Sequence, residues 1–395
     1  MTNKTLPKSP APNTFFDPVY VPPTGGSTSK NPNVRPFFQY YNMLQTYTTM
    51  MAVVSLLDRV GVFKAMRGAG RVSVQDLAKK TGLQERYLKE SLSAMAAGGI
   101  VLYHPEKGKD LGTFEPEEHA LILVDDWESG KAPHPLFYGG QSENLVAYWS
   151  VVPKLAEAFK AGGGVKFGEF GPELPRGMAR THEGTMKSVL VRKWLPAIPG
   201  LVEKLERGVN VLDVGCGAAA GIIAMAQAFP NSTFKGVDLD AYSVSQANEK
   251  IRQAGLAGKN CSAEVRSVYD LIERDAYDVI FTFDVVHDLP DPLRGLKEIL
   301  AALKPSGLYV MMEPRCSDRL EENLNMGGAF LYSVSTVHCM TQSLGNGGAG
   351  LGAAWGPRKM KEYCMAAGAK SFEEFPVPNP GNAFYGIRKS QASKL

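Results

Sequence analysis

Apolar and polar positions change their period three times along the chain. From Phe37 to Met66 the apolar residues Tyr40, Tyr41, Met43, Leu44, Tyr47, Met50, Met51, Val53, Val54, Leu56 and Leu57 predict one long helix ending near Gly61. They occupy more than one helical face, so part of this helix is expected to meet a second surface, such as another subunit. Between Val72 and Tyr103 the period shortens. Ser73 with Asp76 resembles a capping box, Gly82 ends the first helix, Gln84 to Ala97 forms a second, and Ile100 to Tyr103 reads as a strand. That order is a winged helix-turn-helix. Trp127 to Gly200 reads as a connector of helical pieces carrying Tyr148, Trp149, Gly162 to Gly164, Phe167, Phe170 and Trp194. It is placed either to roof a pocket or to pack between two domains.

From Val209 short apolar runs alternate with helical segments. Strands are expected at Asn210 to Val214, Thr233 to Val237, Ala263 to Ser267, Val279 to Phe283 and Leu308 to Glu313. Helices are expected at Gly221 to Ala228, Val244 to Ala254 and Leu293 to Leu303. Alternation at this spacing predicts an α/β fold with a Rossmann-like, doubly wound parallel sheet, whose ligands bind at the carboxyl ends of the strands. The resulting division is a proline-rich arm (1–35), a winged-helix dimerisation domain (36–125), a helical connector or substrate lid (126–200) and the α/β domain (201–395).

Composition changes this picture in a few places. Lys+Arg 43 against Asp+Glu 40 leaves a formal charge of +3, too balanced for phosphate neutralisation along nucleic acid. Glu85, Arg86, Lys89 and Glu90 on the second helix of the winged motif point the same way, so no nucleic-acid partner is expected. Five widely spaced cysteines (Cys216, Cys261, Cys316, Cys339, Cys364) argue against a disulfide framework and a structural zinc site, and read as intracellular. No stretch reaches 18 apolar residues, so no membrane span is expected. The first 36 residues hold eight of the 26 prolines and read as a disordered or surface-draped arm. Ser393-Lys394-Leu395 matches a peroxisomal address, which in a eukaryote implies the import receptor as a partner and otherwise leaves a cytoplasmic expectation.

The chemistry concentrates at Val211-Leu212-Asp213-Val214-Gly215-Cys216-Gly217-Ala218-Ala219, a strand running into a glycine turn. Gly215 and Gly217 allow the backbone to turn tightly beside a ligand. Asp238 follows at the end of the next strand, where a carboxylate accepts ribose hydroxyls. A nicotinamide dinucleotide wants G-x-G-x-x-G under its pyrophosphate, whereas here the spacing is G-x-G-x-x-x-G and Asp213 lies two residues upstream. That acid would repel a pyrophosphate and suits the ammonium group of a methionine moiety, so S-adenosylmethionine is the expected cofactor.

With Asp213 to Gly217, Asp238, and the block from Tyr277-Asp278-Val279-Ile280-Phe281 to Leu303-Lys304-Pro305-Ser306-Gly307, the chain resembles class I S-adenosylmethionine-dependent methyltransferases. More narrowly it resembles the small-molecule enzymes of that class that carry an N-terminal winged helix, through Leu331 to Met340 and Gly347 to Gly352. The resemblance implies a cofactor set of Asp213, Gly215, Cys216, Gly217, Asp238, Leu239, Ser267, Val268, Phe283 and Asp284. It departs from the family at Ala219, where many members have a third glycine, and at Ser267-Val268, where an acid often contacts the adenine amine.

Methyl transfer from a sulfonium is an in-line displacement, which needs an aligned acceptor and, for a protonated acceptor, a base. His287, followed by Asp288, sits past a strand end and resembles the histidine base of plant-type O-methyltransferases; a crevice-shaping histidine is the competing reading. His338, Tyr332 and Trp149 are expected at the substrate wall, with His134 weaker. Glu313-Pro314-Arg315 ends another strand and is placed to orient the substrate or His287. His104, His119 and His182 carry no motif. No residues have metal-ligand spacing, so no metal is expected. The expected function is methyl transfer to an O, S or N atom of a small molecule by a homodimer. Three alternatives are non-methylating pericyclic or dehydrating chemistry on the same fold, a cofactor-sensing DNA-binding regulator, and an NAD-dependent oxidoreductase.

Overall fold

The computed structural model describes residues 34–117 and 137–389; the arm 1–33, Trp127, His119, His134 and the tripeptide at the end lie outside them. The chain divides into two compact units, Met1–Ala120 and Leu121–Leu395.

In the first unit a helix spans Val34–Arg59, followed after Gly61 by a short one, Val62–Met66. Ser73 caps the helix Val74–Thr81, its Oγ accepting the Asp76 N–H at 3.0 Å and donating to the Asp76 carboxylate at 2.7 Å. The helix Glu85–Ala97 follows, then a hairpin of β1 (Val101–His104) and β2 (Thr113–Pro116), the wing of the expected motif. Val74, Leu77, Leu88, Leu92 and Met95 form the buried faces. On the long helix Phe38, Tyr41, Leu44 and Tyr47 remain exposed at three-residue spacing.

The second unit is built on a seven-stranded sheet in the order β5-β4-β3-β6-β7-β9-β8. The strands are β3 (Asn210–Val214), β4 (Thr233–Asp238), β5 (Cys261–Val265), β6 (Tyr277–Phe283), β7 (Leu303–Pro314), β8 (Ser371–Phe375) and β9 (Asn382–Arg388). The first five run parallel, and β9 pairs antiparallel with both β7 and β8. Two apolar clusters cover the two faces. One gathers Leu190, Trp194, Ile222, Phe234, Phe281 and Phe384, and the other Leu212, Ile280, Leu296, Tyr309, Trp355 and Met360. The sheet order reverses between β4 and β6 around β3, the switch point at which an open α/β sheet leaves a crevice.

The expected strands and helices are present with shifted ends. The Ala263 to Ser267 run is β5 at Cys261–Val265, and β7 begins at Leu303 rather than Leu308. The β8–β9 pair was not foreseen. In the connector, Met186–Trp194 winds as a π-helix that seats Leu190 and Trp194 in the core, Trp194 lying 5.2 Å from the Phe384 ring on β9. The Val165 N–H donates to Thr341 Oγ1 at 2.9 Å, so the connector packs into the α/β unit.

Candidate active site

Strand β3 delivers Asp213 to the bottom of the crevice. Its side chain is 2% exposed, and Oδ1 has no hydrogen-bond partner. Burial, with the Asp238 charge added, pushes this carboxyl well above the usual carboxylate range. A buried carboxylate oxygen without a donor is costly unless a cation or donor arrives from outside the chain. Gly215 and Gly217 follow with φ of 75° and 51°, the left-handed region glycine enters freely, and a Cβ on Gly215 would lie 2.5 Å from Val285. Ala219 also takes φ 65°, so it adopts as alanine the conformation that a glycine would hold without strain. It caps the helix Ala220–Ala228, whose first turn borders the crevice.

Asp238 ends β4. Its Oδ2 accepts the Gly217 N–H at 2.8 Å and its Oδ1 the Asp240 N–H at 2.9 Å, so the acid ties the turn to β4 while each oxygen retains a free lone pair. Burial raises this carboxyl as well. Cys216 turns its thiol onto β4, where Gly236 leaves room for Sγ; its contribution to the turn is backbone. Leu239 is 73% exposed beside Asp238, an open apolar surface for a base. Ser267 Oγ accepts the Tyr269 N–H at 3.2 Å, and the Val268 side chain is buried in the core. Phe283 stacks on Phe281 at 5.4 Å. Asp284 takes φ 56°, accepts from Asn382 Nδ2 at 2.6 Å, and burial, opposed by the His287 charge, pushes its carboxyl up to about 7. An orphaned carboxylate at a glycine turn, a second acid on the neighbouring strand and an apolar ledge fit an adenosine bearing a cationic amino-acid tail.

Across the crevice, β6 and β7 bring His287 and Glu313 together. His287 Nδ1 donates to Glu313 Oε2 at 2.5 Å, with the two side chains 3% and 0% exposed. Glu313 Oε1 accepts the Val286 N–H at 2.9 Å, and Oε2 also accepts Trp355 Nε1–H at 3.2 Å. Glu313 therefore locks the imidazole from behind. On the other nitrogen, Nε2, Asp288 Oδ1 lies at 3.3 Å, and the nearby Cys339 Sγ is hydrogen-bonded to His338 Nδ1 at 3.6 Å. Burial disfavours the imidazolium, but the Glu313 and Asp288 carboxylates outweigh it and hold the histidine above its ordinary range.

The stretch Ser335–Cys339 is a second π-helix, a form found often at functional sites, and it turns His338 and Cys339 inward together. His338 stacks with Tyr148 at 5.8 Å and meets the edge of Phe170 at 5.6 Å; its Nε2 is buried without a partner, and burial lowers its pKa. Tyr332 accepts from Asn323 Nδ2 at 3.1 Å. Trp149 is 62% exposed, and it is the neighbouring Tyr148 that reaches His338. Sequence reasoning missed Tyr148, Cys339, Asn382 and Trp355 as site residues. A tryptophan between the glycine-rich run and the Gly356-Pro357 helix start was the available signal for Trp355.

The strand order, the glycine turn under Asp213 and the acid on β4 define a class I methyltransferase fold. Residues 205–360 match the family described as a methyltransferase domain, and residues 48–124 match the Rv2258c-like winged HTH domain. The chain thus carries a winged helix-turn-helix domain followed by a methyltransferase domain. Cycloartenol-C-24-methyltransferase 1 of Oryza sativa subsp. japonica is 27% identical over 119 residues, 30% of this chain and 34% of that protein. A ubiquinone biosynthesis O-methyltransferase of Actinobacillus pleuropneumoniae serotype 5b (strain L20) is 29% identical over 107 residues, 26% and 44% of the two chains. Each match spans less than half of the relative's length. Among solved structures, the mitomycin 7-O-methyltransferase MmcR superposes with a TM-score of 0.66 at 17% identity, covering 89% of this chain and 97% of that one. Human N-acetylserotonin methyltransferase in complex with SAM gives 0.65 at 15% identity, covering 93% and 100%. These likenesses show a shared fold.

Proposed function

We propose that the chain binds S-adenosylmethionine at the β3–β4 end of the crevice and transfers its methyl group to an O, S or N atom of a small molecule. The observation that carries this reading is the unpartnered, buried Asp213 carboxylate in the same crevice as the Glu313-locked His287. The human relative of shared fold is in complex with SAM, which supports the choice of cofactor. The cofactor supplies an electrophilic methyl on a sulfonium. Asp213 would neutralise the cationic tail, Asp238 would accept from the ribose, and Leu239 would lie against the base. His287, fixed at Nδ1, would take the proton of a protonated acceptor on Nε2 once that nitrogen has released its own, the neighbouring carboxylates favouring the charged ring that results. Tyr148, Phe170 and His338, which pack against one another, would offer an aromatic wall to a flat apolar acceptor.

Calorimetry of S-adenosylmethionine with the parent and with Asp238→Ala tests the cofactor site. Weaker binding in the variant is expected, and equal affinity would refute the assignment. A panel of hydroxyl, thiol and amine acceptors with labelled methyl donor, scored by S-adenosylhomocysteine release, then reads the acceptor atom. Full activity in His287→Ala would discard the base role and favour a thioether acceptor. We also propose a homodimer through the exposed stripe of Phe38, Tyr41, Leu44 and Tyr47, which sedimentation of the parent and of Tyr41→Lys would test.

A further inference from the structure

Three metal-ligating atoms converge on the face of His287 that looks away from Glu313. One imidazole nitrogen of His287, an Asp288 carboxylate oxygen and Cys339 Sγ all lie within 4.8 Å of one another. The His287 Nε2 to Asp288 Oδ1 distance is 3.3 Å. Two zinc bonds of about 2.0–2.1 Å at a tetrahedral angle set their ligand atoms about 3.3 Å apart, so this edge already has the length a metal requires.

Three further features point to a cation. Asp288 Oδ1 is buried and has no hydrogen bond. Glu313 accepts from the opposite imidazole nitrogen, the arrangement that orients a metal-bound histidine once its Nε2 has lost its proton. Asp284, Asp288 and Glu313 gather three carboxyl groups around one imidazole. A thiol beside an imidazole discriminates against magnesium and calcium and favours a borderline-soft ion.

We infer that His287, Asp288 and Cys339 form a three-ligand site for a zinc-class divalent cation, whose occupation shuts off methyl transfer. Binding would displace the thiol proton and the Nε2 proton of the imidazolium to solvent and place the thiolate, one carboxylate oxygen and Nε2 on the ion, leaving a position open for solvent or an acceptor heteroatom. The ion would occupy the lone pair that otherwise takes the acceptor's proton. The inhibitory half of the inference rests on the base role proposed for His287; the binding half does not.

The test uses the full chain stripped of metal by chelation. Zinc is titrated in competition with a chromophoric chelator, and Co²⁺ is added separately to read thiolate-to-cobalt charge-transfer absorption. One zinc per chain at micromolar affinity or tighter is expected, with the cobalt band present in the parent. Cys339→Ser should lose that band, and Cys339→Ser and Asp288→Asn should each weaken zinc at least tenfold. A parent that binds no stoichiometric zinc, or whose cobalt complex lacks the thiolate band, overturns the site without reliance on any variant. Equal zinc affinity in Cys339→Ser overturns it also. S-adenosylmethionine affinity, measured on the same metal-free preparation, shows whether the cofactor reading stands on its own. Retention of full methyl transfer by the zinc-loaded chain would refute the inhibitory half.

Discussion

Replacing Glu313 by glutamine is the sharpest perturbation of the crevice, because it keeps the shape of the side chain and removes its charge. The carboxylate accepts from three donors, the Val286 N–H, His287 Nδ1–H and Trp355 Nε1–H, in a site with no solvent exposure. An amide has one accepting oxygen. With that oxygen toward the imidazole and indole, the new NH₂ faces the Val286 N–H and leaves a buried donor unpaired, at a cost of about 1–3 kcal/mol. The His287 bond also loses its charge assistance, worth about 1 kcal/mol more. Glu313→Gln should therefore destabilise the chain by about 2–4 kcal/mol in urea denaturation followed by near-UV circular dichroism. Amide exchange at Val286 should accelerate, and the loss of an oriented base predicts a rate drop on the order of 10²-fold or more for a hydroxyl acceptor. Trp355→Phe removes one donor and leaves the charge and the other two bonds, so it should cost about 1 kcal/mol. A Glu313→Gln effect below about 0.5 kcal/mol, or one smaller than that of Trp355→Phe, would refute the claim that Glu313 organises the site.

Three further outcomes are expected. Because burial raises the Asp213 carboxyl and the cofactor's cationic tail favours its ionised form, S-adenosylmethionine binding should expel a proton and tighten as pH rises; calorimetry in buffers of different ionisation enthalpy checks this, and identical heats would contradict it. Ala219→Gly should leave stability within about 0.5 kcal/mol, since relief of about 1–2 kcal/mol of left-handed strain is offset by a lost buried methyl and added chain entropy; Ala219→Val should cost more than about 2 kcal/mol by thermal denaturation. Glu273 is held down to about 2, because its partial burial is outweighed by a hydrogen bond from its own backbone N–H, by Lys235 at 3.1 Å and by Arg266, whose Nη1 donates to both carboxylate oxygens. Its folded pKa is depressed, so its stabilisation is present above the ordinary carboxylate pKa and lost as pH falls from about 4.5 toward 2. Glu273→Gln should therefore cost about 1–2 kcal/mol at neutral pH after solvent screening, and nothing at the bottom of that window.

Most of the crevice was legible because its signals are local. Asp213 and the glycine turn are contiguous, and Asp238 follows at the spacing one helix and one strand impose, so period and spacing sufficed. The winged helix was legible for the same reason, through the Ser73 cap and Gly82. What the sequence concealed depends on contacts between distant segments. Trp355 reaches Glu313 across 42 positions and Asn382 reaches Asp284 across 98. The π-turn at Ser335–Cys339 shifts the helical phase by one residue, so a 3.6-residue period read along Leu331 to Met340 does not foretell that His338 and Cys339 both turn inward. Tyr148 and Trp149 differ by one position on a helix whose apolar residues are not confined to one face, and pattern alone does not single out Tyr148 as the ring that stacks with His338.

The two groups of acids in the crevice pose one electrostatic problem with two different answers. At the β3–β4 end, Asp213 and Asp238 raise each other's cost of ionisation, and only Asp238 is compensated, by two backbone N–H groups. The uncompensated member therefore selects a ligand that brings its own positive charge, and a neutral nucleoside would leave Asp213 orphaned. At the β6–β7 end, Glu313 is compensated by three donors and Asp284 by Asn382, while Asp288 keeps a buried oxygen with no hydrogen bond. The ammonium that Asp213 would pair arrives with the cofactor and stays on S-adenosylhomocysteine after methyl transfer, so it departs only when that product is released. The acids around His287 belong to the protein, and they hold its imidazole toward the charged form, so in the resting chain the proton on that ring balances them. A metal would replace that proton between turnovers, whereas a cationic amine acceptor would meet it only while bound. That difference in lifetime is what the zinc titration and the acceptor panel separate.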